Sequence, residues 1–208
     1  MNTLVVPRTR TILSLDAEGS TTRTNTGRAL LRRVMYQLLE EALRVSGITP
    51  EHHDDFSDRG DGVLVLIRPV DEAPKTLLLT TVIPTLSALL AEHAAREPDQ
   101  RLRLRAAVHA GEVHYDDRGC YGEDIDLTFR LLNAPALKRT LRQADAPLVL
   151  AVSQDIYRSL IRHGYEGIDG NAFEPLMRVR MAGRWVRGWV QVPGTYDSPA
   201  AAVSAARI

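Results

Sequence analysis

The stretch TILSLDAEGST, residues 11–21, decides how this chain is read. Ile12, Leu13 and Leu15 form a short apolar run that stops at Asp16, and Gly19, Ser20 and Thr21 make a small-residue turn. Apolar residues on both faces predict a central strand of a covered sheet. An acid at the end of such a strand, followed by amides at a helix entrance, suits a metal carrying phosphates. Two further stretches add weight to that reading. In Asp58-Arg59-Gly60-Asp61-Gly62, glycines flank a second acid, which lets a hairpin tip turn tightly and bring Asp61 close to another strand. In Tyr121-Gly122-Glu123-Asp124-Ile125-Asp126-Leu127-Thr128-Phe129-Arg130, an arginine stands on a helical pattern.

Outward from these stretches, the rest of the chain alternates strands and helices. Leu30, Leu31, Val34, Leu38, Leu39, Ala42 and Leu43 recur at helical steps and predict an amphipathic helix over residues 25–45. Arg28, Arg32 and Arg33 on its polar side read as solvated surface. His52-His53-Asp54-Asp55 looks like a metal cluster, but neighbours on an extended segment point to opposite faces, so it reads as a solvated strand entrance. A second helix is expected over residues 72–95, kinked or split at Pro84. Leu102, Leu104, Ala106 and Val108 alternate with Arg101, Arg103 and Arg105, the pattern of a strand with one wet face. His109 reads as a core residue. A helix over 122–133, a further helical turn over 134–142, a strand over 148–152, a helix capped by Ser153 and a terminal hairpin over 173–192 complete the chain. Residues 1–9 read as an N-terminal arm, 10–195 as one domain and 196–208 as a frayed, Ala-rich tail. The order predicts an α/β (α+β) fold, a mixed sheet covered by helices.

Composition narrows the partners. The 208 residues are 44% hydrophobic, and 26 Lys plus Arg balance 26 Asp plus Glu. With no basic excess, neither nucleic acid nor an anionic membrane is an expected partner. The single cysteine, Cys120, excludes an internal disulfide and favours a reducing cytoplasm. The N-terminus lacks the apolar region of a signal peptide, and the most apolar window, 77–90, is too short and too interrupted to span a bilayer.

DAEGST resembles the first metal motif of the class III nucleotidyl cyclases, Asp-Ile-x-Gly-Ser/Phe-Thr. RGDGVLVLI resembles their Gly-Asp hairpin, HAGEV their Ile-His-x-Gly-x-Val strand, and YGEDIDLTFRLL their Gly-x-x-Val-Asn-x-Ala-x-Arg-Leu segment. The resemblance spans roughly residues 10–165. It implies a ferredoxin-like core, head-to-tail homodimers with shared active sites, and cyclisation of a nucleoside triphosphate with two Mg²⁺ or Mn²⁺ per site. It assigns metal contacts to Asp16, Asp61 and the Ala17 carbonyl, and phosphates to the amides of Glu18, Gly19, Ser20 and Thr21. It places Arg130 on the α-phosphate in the partner's site, Asp126 where the ribose-orienting Asn stands, and Arg187 or Arg184 on the triphosphate.

The departures from the pattern bear on the base. The purine-reading positions are Ser57 and Gly119, and Cys120 falls one residue late for the guanine-reading pair. This resembles the pyrimidine cyclases of bacterial antiviral defence and implies a base other than adenine. Asp126 puts negative charge beside a polyanion, which leaves open a catalytically inactive, nucleotide-sensing or partner-binding module. An unrelated ferredoxin-like ligand-binding protein is a third reading.

Overall fold

Strand β1 (Arg8–Ala17) is buried from Arg10 through Leu15 and lies inside the sheet, as its two apolar faces require. The computed structural model describes residues 6–194, so most of the expected arm and tail lie outside the described residues. β1 takes in Arg8 and Thr9, the last two residues of that arm. A turn leads into α1 (Asn25–Val45), where the Thr24 side chain accepts the Gly27 N–H as the cap.

The hairpin of β2 (Ser57–Asp58) and β3 (Gly62–Ile67) returns the chain beside β1, with Asp16 opposite Gly62. A Cβ at Gly62 would stand 2.5 Å from the Leu15 carbonyl oxygen, so only glycine allows this approach. Gly60 turns the tip with a φ of 79°.

The second helix starts later than expected, because Pro74 keeps Ala73 out of the helical region. It opens with the helical residues Thr76 and Leu77, widens into a π-turn over Leu78–Val82 and continues as α2 (Ile83–Arg96). The Ile83 N–H reaches back to the Leu78 carbonyl, and this wider turn accommodates Pro84, which has no N–H to donate. The run Leu78–Arg96, with mean hydropathy 1.3, is the one helix among the described residues long and apolar enough to cross a membrane. Its Leu78, Val82, Leu86 and Leu90 are buried in the main core.

The remaining elements are β4 (Leu104–Asp116), β5 (Gly119–Tyr121), α3 (Glu123–Leu132), α4 (Pro135–Gln143), β6 (Leu148–Ser153), α5 (Gln154–Ser159), β7 (Glu174–Met181) and β8 (Arg184–Gln191). The sheet runs β2-β3-β1-β4-β6-β8-β7, with β5 paired to β4. Only β4 and β6 pair in parallel, so the sheet is mixed, as expected.

Helices cover both faces. Leu13, Leu15, Val63, Val65, Ala106 and Leu150 meet Met35, Leu39, Leu86 and Leu90 of α1 and α2. On the other face Ala107, Val149 and Ala151 meet Leu131, Leu137 and Leu141 of α3 and α4. This second layer corrects the reading of β4 as half wet. The Arg103 and Arg105 side chains are only 18% and 11% exposed. Arg103 donates to the carbonyls of Ala144 (2.8 Å) and Leu141, and Arg105 to that of Leu132 (3.2 Å). Each guanidinium satisfies carbonyls at a helix C-terminus, where positive charge is favoured.

Two other polar stretches are also more engaged than expected. Arg32 forks onto Asp58 (2.6 and 2.8 Å) and Arg28 donates to the Ser20 carbonyl (3.1 Å), so α1 holds both loops that carry the acids. Asp54 accepts from Arg10 (2.9 Å), Tyr115 (2.5 Å) and Arg68 (3.4 Å). Among the described residues no group of three or more metal-ligating side chains converges, His52 to Asp55 included.

Candidate active site

Asp16 is half-buried in β1 just before buried Ala17, and Asp61 stands at the hairpin tip one residue before Gly62, the register partner of Asp16. The Ala17 N–H donates to the Asp61 carbonyl (3.0 Å), which locks the two acid-bearing turns together. Both carboxylates face a cleft of about 550 Å³ with Ala17, Glu18, Gly19, Ser20 and Thr21 on one wall. The cleft is also lined by Arg105, Phe129, Asn133, Lys138 and Arg142, with Arg59 at the hairpin tip.

The electrostatics of the cleft are balanced locally. Arg105 donates to Asp16 Oδ2, and the Ser20 hydroxyl donates to Asp61 Oδ2. Burial raises the Asp16 carboxyl above its ordinary range, Arg105 and Lys138 pull it down, and the Asp61 charge pushes it up further. Among the described residues the Oδ1 atom of each aspartate accepts no hydrogen bond. Two carboxylates with free oxygens in one cleft are the hard donors that Mg²⁺ and Mn²⁺ prefer, so the residues fit such ions.

Most of the amides expected to meet phosphates are available. The Glu18 N–H, expected among them, is taken by the Arg103 carbonyl (2.9 Å). Gly19 is left-handed at φ 70° and opens a short 3₁₀ turn, Ser20–Thr22. The N–H groups of Gly19, Ser20 and Thr21 are spent on no acceptor among the described residues.

Other expected residues lie elsewhere. Asp126 and Arg130 are exposed one turn apart on α3, outside the cleft of their own chain. Ser57 on β2, Gly119 on β5, and Arg184 and Arg187 on β8 do not line it either. The cleft thus joins the acids and the glycine turn and leaves outside it the residues expected at the base, ribose and α-phosphate.

His109 is structural, as its sequence context suggests. It is 1% exposed, with Nδ1 2.8 Å from Ser153 Oγ and Nε2 2.9 Å from Asp124 Oδ1. Ser153 is fully buried and accepts the Ile156 N–H, so this Ser-His-Asp series offers no nucleophile. It anchors the start of α3, because Asp124 also accepts the Glu112 N–H (2.6 Å) and occupies the space a Cβ at Gly111 would need.

Sequence reading missed Arg105, Lys138, Arg142 and Arg59. Their signal was weak, since basic residues on an alternating strand or a short helix normally face water. Packing of α3 and α4 over β4 turns Arg105 inward and brings half-buried Lys138 and exposed Arg142 to the cleft, while exposed Arg59 reaches it from the hairpin tip, over the Phe129 ring (5.1 Å).

No protein-family model and no curated protein matches this chain. Solved structures do. The guanylyl cyclase Cya2 superposes with a TM-score of 0.61 at 16% identity, over 93% of this chain and 98% of its own. The adenylyl cyclase CyaB from P. aeruginosa gives 0.61 at 14% identity, over 93% and 98%. An adenylate/guanylate cyclase/hydrolase from Silicibacter pomeroyi gives 0.57 at 18%, over 91% and 99%. With this sheet order, this helix cover and these neighbours, the chain has the fold of the adenylyl and guanylyl cyclase domains.

Proposed function

We propose that this chain is a cytoplasmic, metal-dependent nucleotidyl cyclase, acting as a head-to-tail homodimer on a nucleoside triphosphate whose base is not adenine, with pyrimidines as the first candidates. One observation carries the reading: two aspartates, one on β1 and one at the hairpin tip, a turn with free amides and four cationic side chains all line one cleft.

In the reaction the ribose 3'-oxygen bonds to the α-phosphorus, the bond to pyrophosphate breaks, and the hydroxyl proton passes to water. Asp16, Asp61 and the Ala17 carbonyl would hold two Mg²⁺ or Mn²⁺. When bound, these ions lower the hydroxyl's pKa and neutralise the triphosphate. The Gly19, Ser20 and Thr21 amides and Arg105 orient the phosphates from the same chain. Arg130 of the second chain meets charge developing on the α-phosphate, where preorganised cations typically lower a barrier by about 3 kcal/mol. Asp126 stands toward the ribose, and Ser57 and Gly119 beside the base. The exposure of Asp126 and Arg130 on α3, outside their own cleft, supports this division between chains.

A second reading has its own observation. Asp126 is exposed and has no ion-pair partner among the described residues, so it brings an uncompensated negative charge to the substrate. On that ground the domain binds nucleotide without turnover. Incubation with ATP, GTP, CTP and UTP in Mg²⁺ or Mn²⁺, with mass spectrometry of the products, separates the two. A cyclic mononucleotide supports the cyclase; four unchanged triphosphates support the binding module.

A further inference from the structure

We propose that Lys138 and Arg142 of α4 grip the terminal phosphates of the nucleotide from the same chain that supplies Asp16 and Asp61, in place of Arg187. The inference rests on the nucleotide reading of the cleft and names the residues that hold the polyphosphate end.

Four features place these side chains there. Lys138 and Arg142 are one turn apart, so they share one face of α4, and both line the cleft that Asp16 and Asp61 face. Leu137 and Leu141, each the preceding residue, are fully buried and fix the rotation of the helix. Arg103 ties the end of α4 to the loop of Asp16. It donates to Glu18 (3.1 Å) and, across the joint, to the carbonyls of Leu141, Ala144 and Ala146. Finally, neither Lys138 nor Arg142 has an ion-pair partner among the described residues, whereas Arg105 is engaged by Asp16 and Arg103 by Glu18. Lys138 lies near enough to Asp16 to lower its carboxyl's pKa.

Two unpaired cations on a helix clamped beside a cleft form a fixed site for a polyanion, because their charge is not spent within the protein. Arg187 is exposed on β8 and lines no part of the cleft of its own chain, whereas Lys138 and Arg142 line it without a second subunit.

Inorganic tripolyphosphate in Mg²⁺ is the probe, titrated calorimetrically into the full chain at fixed ionic strength. Lys138→Gln with Arg142→Gln keeps good helix formers and should weaken binding at least about tenfold, as expected for losing charge-assisted contacts. Arg187→Gln should change it less than about twofold, and Lys138→Arg with Arg142→Lys should retain it, which controls for folding. The proposal is overturned if the double Gln variant binds like wild type, if Arg187→Gln causes the loss, or if wild type does not bind the probe. Tripolyphosphate binding through these two residues without turnover of any nucleotide would leave the inference standing and remove the cyclase reading. Turnover with undiminished probe binding by the double Gln variant would do the reverse.

Discussion

Asp16 on β1 and Arg105 on β4 stand opposite each other in antiparallel register, and the Arg105 guanidinium donates to Asp16 Oδ2 within the cleft. The pair turns two mutually repelling aspartates into one paired and one unpaired acid. Arg105 also holds the end of α3 through the Leu132 carbonyl.

Removing the two acids should therefore have unequal effects. Asp16→Ala and Asp61→Ala should each abolish cyclic product. Asp16→Ala should also lower unfolding stability by about 2 kcal/mol, since it strands a largely buried guanidinium. Asp61→Ala loses only the Ser20 contact and should stay within about 1 kcal/mol of wild type. Urea melts and product assays on both variants check this, and near-normal turnover by either would break the metal assignment.

Asp16 faces the cleft while Arg130 is exposed outside it, so the two should complement each other between chains. Asp16→Ala and Arg130→Ala should each be nearly inactive alone. Mixed after reversible dissociation, half the dimers are hybrids and half of their clefts are intact, so about a quarter of wild-type activity should return. Fluorescence exchange between labelled subunits must accompany the assay. Demonstrated exchange without recovery would exclude a shared site.

Base selectivity should be poor for ATP. Without a buried polar pair at Ser57 and Gly119, a wrong base leaves nothing unsatisfied, and that penalty is what enforces discrimination. Competition among the four triphosphates measures it. A strong ATP preference would mean that other residues read adenine.

Asp54 should carry a pH-dependent share of stability. Burial raises its carboxyl, but the hydrogen bonds from Arg10, Tyr115 and Arg68 outweigh this and hold it below the usual carboxylate range. The ionised form is thus favoured by folding. Its stabilisation is complete above the unfolded value of about 4 and fades as pH falls through that value toward the lowered one. Asp54→Asn should cost about 2 kcal/mol at neutral pH, and the gap to wild type should narrow as pH falls below the unfolded value of about 4. A gap that persists unchanged at low pH would show that shape, not charge, is what Asn loses.

The sequence by itself determined the elements that are set locally. The apolar runs around Leu13 and Val65, the helical period from Leu30 to Leu43 and the Ser153 cap are read within a few residues, and each stands where expected. Asp16 and Asp61 were legible for the same reason, since an acid between a buried strand and a glycine turn is a local pattern. Tertiary structure alone decided what covers β4. Arg103 and Arg105 alternate with Leu104 and Ala106 as wet residues would, and only α3 and α4 folding back over that face turn them into helix clamps and cleft lining. Lys138 and Arg142 follow the same rule. A charge run on a short helix has no preferred neighbour until Leu137 and Leu141 are buried and fix its rotation. Local pattern specifies which faces are apolar; which polar groups then lose water depends on where those faces meet, and that is a property of the packed chain.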